Sequence, residues 1–468
     1  MPGATSTAVE AVPSAGYEFL YWLGDVPYGM ATNNPLQFTT EVPRSVQALF
    51  RLTEAPTTRV WNGGAATLGA WHDVAKWLPV GNIPGKADHV VIDAGYCCTT
   101  NYAECDSLVI GNAAILRVAS QTTTANRAQR TESNSQLAIE NVNFDEGRLV
   151  VHDDLDLQQF AQLGLGGSDQ TYATALDVGG NIRLRDTASL AVYAGPTNSM
   201  FDFATGTAVV RVGGLLQIAS NCWIYPTSDG YTGGSPRFDV NRLTVDAGGG
   251  FNATERGFDL LKDREPETLA LGQGYSYNYG AGYGGLGGNG YLGTYGKTYG
   301  FINAPLYPGS CNGEYKANTF KRGGGLVRLH ARGSVELAGS VITDGSQTTT
   351  YGGPSGGGIW ITARHFQIEP GSLLQARGGA SNYDYSGGGG GRIALGIKLT
   401  PADLTQLCKT GAPVSNVAEI DTTTFGARYP GVLLDISAVM TNATQTSAQP
   451  GTFILLDATR QGTMLLLR

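Results

Sequence analysis

The feature that most constrains this chain is a unit that returns at a fixed offset in its second half. Gly325-Leu326-Val327-Arg328-Leu329 is followed 33 positions on by Gly358-Ile359-Trp360-Ile361-Thr362 and 33 further by Gly391-Arg392-Ile393-Ala394-Leu395, while Gly345 and Gly378 keep the same offset. Each period orders a glycine cluster, a β-run (Leu326 to His330; Ile359 to Ala363), a second β-run (Ser334 to Leu337; Phe366 to Glu369) and a third (Val341 to Thr343; Leu373 to Gln375). A long Gly/Ser/Tyr/Thr loop then closes it. Three short strands per period with only turn residues between them predict one turn of a right-handed parallel β-solenoid, an all-β fold. A single turn cannot bury its apolar face alone, so the stack is expected to run well beyond the visible repeats. The glycines, interleaved with Leu, Val, Ile, Trp and Tyr, are expected to supply positive φ and tight turns where loops leave the stack, rather than a disordered linker.

The preceding residues agree with this reading. Short β-runs recur from Val90 to about Asp246, among them Ser107 to Ile110, Arg148 to Val151, Leu190 to Tyr193 and Val209 to Val212, at roughly twenty to thirty residues per turn. Helical periodicity is weak and confined to Pro401 to Leu407 and Asp259 to Lys262. Only 15% of the 468 residues are charged, the net charge is −8 and no basic run occurs, which argues against nucleic acid or an anionic membrane surface as partner. No apolar stretch reaches the roughly 18 residues of a transmembrane helix. Gly282-Tyr283-Gly284-Gly285-Leu286-Gly287 and Gly296-Lys297-Thr298 match nucleotide-binding patterns by letter, but neither sits between a strand and a helix, so no cofactor is expected. The six cysteines show no CxxC pair; they are either buried free thiols or include one local disulfide, from Cys97 or Cys98 to Cys105.

Residues 1–55 read as a small β-module of their own. Ala8 to Pro13, Gly16-Tyr17-Glu18-Phe19-Leu20-Tyr21-Trp22, Gly24-Asp25, Asn34-Pro35-Leu36 and Ser45 to Phe50 alternate apolar and polar residues between Pro, Gly and Asn turns. This run resembles the divergent internalin B-repeat family of bacterial surface proteins. The resemblance implies that Trp22 and the Gly24-Asp25 turn are fold determinants and that the module's opening strand precedes Ala8, as in a segment of a longer protein.

A second resemblance covers most of residues 59–400. Val60-Trp61-Asn62-Gly63-Gly64, Trp71-His72-Asp73, Lys76-Trp77 and Pro84-Gly85-Lys86-Ala87-Asp88-His89-Val90-Val91-Ile92, followed by the glycine-rich segments through Leu395, resemble the opening motif and body of bacterial surface and autotransporter-passenger parallel β-helices. It implies an extracellular or cell-surface setting and a cap over the first turn, because an uncovered terminal turn presents an edge for pairing. Residues 401–468 then supply either last turns or a C-terminal lid.

Candidate functional residues fall into two groups. Tyrosines crowd the glycine-rich loops, including Tyr283, Tyr295, Tyr351, Tyr383 and Tyr385; Tyr and Gly together give rigid amphipathic contact area on an adaptable backbone, suited to glycans or another cell-surface protein. The same rings equally suit a packed belt along the flank. His330 and His365, with Arg328, Arg332 and Arg364, stand on β-runs of successive repeats and suit an acidic glycan or a solvated face. A glycoside hydrolase needs paired carboxylates, for which Asp153-Asp154, Asp156, Asp344 and Asp384 are the candidates, and a lyase needs clustered acids for calcium; neither signature is complete. The reading is a non-enzymatic surface segment for adhesion, scaffolding or glycan binding, with a polysaccharide-active β-helix enzyme as the first alternative and a tail-spike or filament subunit as the second.

Overall fold

The computed structural model describes residues 8–459 except 15–16, 25, 27–29, 31, 38–45, 53–56, 64–67, 100–101, 119–146, 167–173, 196–207, 231, 260–270, 274–278, 289–295, 313–320, 348–351, 381–385, 414–416 and 439–447. The chain is mostly β, 42% strand against 6% helix, and its strands lie in long parallel sheets. In chain order the strands fall into triplets, such as Gly147–Val151, Leu155–Leu157 and Gln162–Leu165, then Thr174–Val178, Ile182–Leu184 and Ser189–Tyr193. Each member pairs in parallel with the same member of the next triplet. Three ladders result. Val209–Ile218 and Arg237–Val245 are long enough to serve the first two ladders in one strand, which joins them into an 18-stranded sheet beside the 10-stranded third ladder.

Period-two alternation explains the core. In Ser189–Tyr193 the sequence Ser-Leu-Ala-Val-Tyr buries Leu190 and Val192 completely and leaves Ser189, Ala191 and Tyr193 half-buried on the other face. Neighbouring triplets repeat the pattern, so Leu163, Leu190 and Ile224 share one register row and Leu116 joins them. One continuous apolar cluster runs from Trp61 to Leu455. At its first end Trp61 and Trp71 each meet Trp77 edge-on at 5.0 Å, and the Trp77 indole N–H donates to the Trp71 carbonyl. At its last end the short helix Thr422–Arg428 (α2) sets Phe425 against Phe453, 4.7 Å between centroids. A longer helix, Pro401–Thr410 (α1), begins at a capping box of Thr400 and Asp403 and lays Leu407 and Cys408 over Trp360, Ala394 and Ile454 on the outer face of the first ladder. Residues 401–459 therefore both extend the ladders, with Leu433–Asp435 and Thr452–Asp457, and add helices.

One expectation changes here and one open alternative is decided. The 33-residue period holds on the third ladder, where Ser340 pairs with Leu373, but not on the first, where Leu326 pairs with Gly358 and Gly358 with Arg392, offsets of 32 and 34. A one-residue slip exchanges the faces of a strand, and the slip sends Val327, Leu329, Ile359 and Ile361 inward together. None of the six cysteines is in a disulfide; all are buried thiols, and burial pushes Cys97 and Cys105 well above their ordinary pKa.

Residues Tyr17–Gly24 and Val46–Leu52 form a separate antiparallel pair with its own small cluster of Ala11, Trp22, Val26 and Leu36. The Trp22 indole N–H donates to the Asn33 carbonyl, and Asn34 bonds both ways with the Ala11 backbone. Asp25 lies outside the described residues.

Candidate functional site: a bundle of glycine backbones

Between the end of the third ladder and the start of the first, the last triplets do not turn sharply. Their described parts, residues 352–357, 376–380 and 386–391, pack on one another and on 280–288. Segment 352–358 shows how. Its Gly353 carbonyl accepts from Ala281, Pro354 from Gly379, and Ser355 from Gly324; its Ser355 N–H donates to Ser310, Gly356 to Gly389, and Gly357 to Thr343. A β-strand has two hydrogen-bonding edges, whereas residues 352–357, which belong to no strand, bond to backbone from several other segments at once.

Such packing leaves no room for side chains. A Cβ on Gly356 would overlap the Ala376 carbonyl, one on Gly324 the Thr343 carbonyl, and one on Gly388 the Pro354 carbonyl. Within 272–391 only Gly272, Gly300 and Gly371 have positive φ among the described glycines. The glycines of the clusters are thus required for close backbone approach, not for left-handed turns, which corrects the expectation drawn from sequence.

The tyrosines divide accordingly. Tyr283 is fully buried, its ring centroid 4.7 Å from that of Tyr299 with the planes tilted by 39°, and Tyr299 meets Tyr307 edge-on at 5.8 Å. The Arg392 guanidinium lies 5.4 Å over the Tyr283 ring and donates to the Tyr299 carbonyl, and the Tyr299 hydroxyl donates to the Pro308 carbonyl. Burial raises the pKa of both phenols and lowers that of Arg392. A ring with no exposed surface has none to offer a ligand, so Tyr283 belongs to the packed belt. Tyr295, Tyr351, Tyr383 and Tyr385 lie outside the described residues, as does Asp384.

The residues flanking those stretches are described, and they meet. Gly288 donates to Gly387, Gly353 to Ser386, Gly280 to Gly288 and Gly296 to Gly280, while the Ala380 N–H donates to the Gln347 side chain. Residues 289–295, 348–351 and 381–385, which carry Tyr291, Tyr295, Tyr351, Tyr383 and Tyr385, therefore start and finish on adjacent threads of the bundle.

Comparison with known protein families, curated proteins and solved structures finds no match.

The other candidates are held by their surroundings. His330 lies on the first ladder with Nδ1 2.8 Å from the Thr362 hydroxyl, whereas His365 is exposed on the second ladder opposite Ser334, so the two histidines face from different ladders. Arg328 lies 5.5 Å over the Trp360 ring, and burial lowers its pKa to about 10. Asp154 accepts from the Asn181 backbone and side chain and from Arg183, and Asp156 faces the same arginine at 3.6 Å. Asp344 is buried and accepts from Gln375 and from the Arg377 backbone and guanidinium; burial raises its pKa, and those bonds pull against the rise. These aspartates tie one triplet to the next. Among the described residues no group of three or more His, Cys, Asp or Glu is arranged to hold a metal ion, and no helix is long and apolar enough to cross a membrane.

One surface escaped the sequence reading. A shallow depression on the outer face of the third ladder is lined by Tyr96, Arg117, Gln162, Ser189 and Tyr193. Its signal is the alternate position of β-runs, as Ala191 and Tyr193 show beside the buried Leu190 and Val192.

Proposed function

We propose that this chain is a segment of a bacterial cell-surface protein that works by contact, as an adhesin, scaffold or glycan-binding surface. In this reading residues 59–400 form a right-handed parallel β-solenoid, closed at its first end by the Trp61, Trp71 and Trp77 cluster, and residues 1–55 are an internalin-repeat-like module before it. The observation that carries the functional part is the convergence of the threads flanking residues 289–295, 348–351 and 381–385. In this reading the tyrosines of these three stretches, whose flanking residues meet in the bundle, contact the ligand together, because tyrosine and glycine suit recognition and a rigid support lowers the entropy lost on binding. Two of the aspartates that would serve an enzyme, Asp154 and Asp344, are engaged in bonds between triplets.

The test is a glycan-array screen of the whole chain beside a variant carrying Tyr351→Ser, Tyr383→Ser and Tyr385→Ser, with mass spectrometry of every polysaccharide that binds. Binding without cleavage, reduced at least tenfold in the triple variant, is expected. Shortened or unsaturated products would overturn the reading in favour of an enzyme, and binding unchanged in the variant would remove the loops from it.

A further inference from the structure

Register defines a column of positions at the corner where the first ladder gives way to the second. Cys105, Val151, Val178, Val212, Val240 and Ala331 pair in turn. The pairing of His330 with Thr362 then sets Ala331 beside Ala363, which pairs with Ile397, and Ile397 with Asp457. The residues that follow these nine are Asp106, His152, Gly179, Gly213, Asn241, Arg332, Arg364, Lys398 and Ala458. Backbone bonds carry the column onward, with the N–H groups of Arg332, Lys398 and Ala458 donating to Val240, Ala363 and Ile397. Arg332, Arg364 and Lys398 therefore stand in consecutive turns, one strand spacing of about 4.8 Å apart. Arg242 stands beside the column one turn earlier, next to Asn241.

The fold does not ask for cations at this corner. Glycine or asparagine fills the same position in the three preceding turns, and like charges at one strand spacing repel. Arg242, Arg364 and Lys398 are exposed, as is His365 next to Arg364, and Arg332 is half-buried with one N–H on the Val212 carbonyl at 3.3 Å. No carboxylate occupies the column from Asn241 to Lys398. Those on or beside the adjoining strands each accept from another donor: Asp239 from Arg237, Asp457 from Arg428, Glu336 from the Thr244 hydroxyl and Glu369 from the Gln367 amide. In a chain of net charge −8 the row is a local reversal of sign, and it forms no basic run because its members lie far apart in the sequence.

Shape and spacing narrow the partner. A corner is convex, so it offers its side chains to a long molecule laid across the strands and encloses no small one. Cations repeated in consecutive turns match a chain that is itself extended and bears an anion on successive units; from Arg242 to Lys398 the row is roughly 14 Å long. The planar fork of arginine suits carboxylate and sulfate groups alike. On its second-ladder side the row is bordered by Thr244, Ser334 and Gln367, whose hydroxyl and amide groups suit sugar hydroxyls. From Asn241 to Lys398 the column holds no aromatic ring on which a nucleic-acid base would stack. We infer that the corner carrying Arg242, Arg332, Arg364 and Lys398 binds a linear acidic polysaccharide, carboxylated or sulfated. This row rests on the reading of the chain as a glycan-contacting surface, and it is separate from the tyrosine-bearing stretches of the glycine bundle.

Isothermal titration of the full chain with a heparin hexasaccharide, hexagalacturonate, neutral maltohexaose and octathymidylate tests it. At least one acidic hexasaccharide is expected to bind, the tighter of the two naming the anion, and to weaken about tenfold or more between 50 mM and 200 mM salt as counterions compete. Maltohexaose is expected to bind at least tenfold more weakly, and octathymidylate more weakly than the acidic sugar. The double variant Arg332→Gln with Arg364→Gln is expected to lose at least tenfold in affinity, and the charge-preserving Arg364→Lys to stay within threefold of the parent. Arg117→Gln, which removes the same charge from the third ladder, is expected to bind as the parent does. Urea midpoints report whether each variant folds, and the exposed single change Lys398→Gln, expected to lose about threefold, stands in if the double variant does not. Absence of binding by both acidic hexasaccharides, equal binding of maltohexaose or octathymidylate, or an equal loss in Arg117→Gln would overturn the assignment. Loss of binding in the triple tyrosine variant with the row intact would also overturn it, and would leave the loops as the glycan site.

Discussion

The ladders and the glycine bundle are built from the same chain by opposite means. Inside the ladders, side chains do the packing: Leu163, Leu190, Val192 and Ile224 are buried to 1% exposure or less, and each such side chain contributes about 1.5–3 kcal/mol by leaving water. In the bundle the interior contains almost no side chains. Backbone lies on backbone, and cohesion comes from amide bonds radiating to several neighbours, each worth about 1 kcal/mol net, and from close van der Waals contact. Glycine also loses the most backbone entropy on folding, so the bundle depends on the ladders to fix where its threads start and finish. One region tolerates a change of side-chain shape; the other tolerates no side chain at its close-approach glycines, such as Gly324, Gly356 and Gly388.

That contrast is breakable by mutation. The largest effect is expected in the ladders, where Leu190→Ala removes a fully buried side chain between Leu163 and Ile224 and costs about 3 kcal/mol, whereas the volume-conserving Leu190→Met costs under about 1.5 kcal/mol. In the bundle a single methyl is expected to cost nearly as much. Gly356→Ala drives its Cβ into the Ala376 carbonyl and costs about 2 kcal/mol. Urea midpoints of the three variants check both statements. A Gly356→Ala protein as stable as the parent would mean that the threads slide past one another freely and that the bundle is not close-packed.

The two regions were also unequally legible. Alternation in Ile115–Val118, Ser189–Tyr193 and Val209–Ile218 prints the ladder pattern directly into the sequence, because a strand buried on one face must place apolar residues at every second position. The glycine clusters were visible, but a glycine that supplies positive φ and one that yields to a neighbouring backbone look alike as letters. Gly356 and Gly371 differ in backbone conformation and in what surrounds them, neither of which a single letter carries. Tyr283 was legible as notable, with a packed belt and a contact surface equally open, since the surroundings that decide between them, Tyr299 and Arg392, arrive from other positions in sequence. The helix α2 was hidden for another reason: Thr422, Thr423, Thr424 and Gly426 are poor helix formers, and what favours it is the cap bond from the Thr424 N–H to Asp421 together with tertiary contacts such as the burial of Phe425 against Phe453. The register slip between Leu326 and Gly358 left no mark that a strict repeat would not also leave.

A smaller effect separates crowding from conformation. Gly371 has φ +87° with nothing within 4 Å of where a Cβ would stand, so Gly371→Ala meets backbone strain alone and is expected to cost about 1 kcal/mol. If Gly371→Ala costs more than Gly356→Ala by urea midpoint, conformation and not crowding governs glycine usage in this chain.

The smallest expected effect lies at the last end of the ladders, where α2 is tied down by charge instead of by backbone contact. The Arg428 guanidinium donates to Asp457 at 2.7 Å, and the Thr459 N–H donates to the other carboxylate oxygen at 2.8 Å. Burial raises the Asp457 pKa, but the bonds from Arg428 and Thr459 outweigh it and hold the carboxyl below its ordinary value. A group whose pKa is lower in the folded state stabilises the fold above its unfolded pKa, near pH 4, and loses that contribution as pH falls through the folded value. Because Arg428 is 40% exposed, solvent screening limits the contribution to about 1 kcal/mol or less. Asp457→Asn is therefore expected to lower the urea midpoint slightly at pH 7 and to match the parent once the pH lies below the depressed value. A gap between parent and variant that persists unchanged in acid would assign the loss to packing of α2, and would make this end of the molecule resemble the ladders it closes.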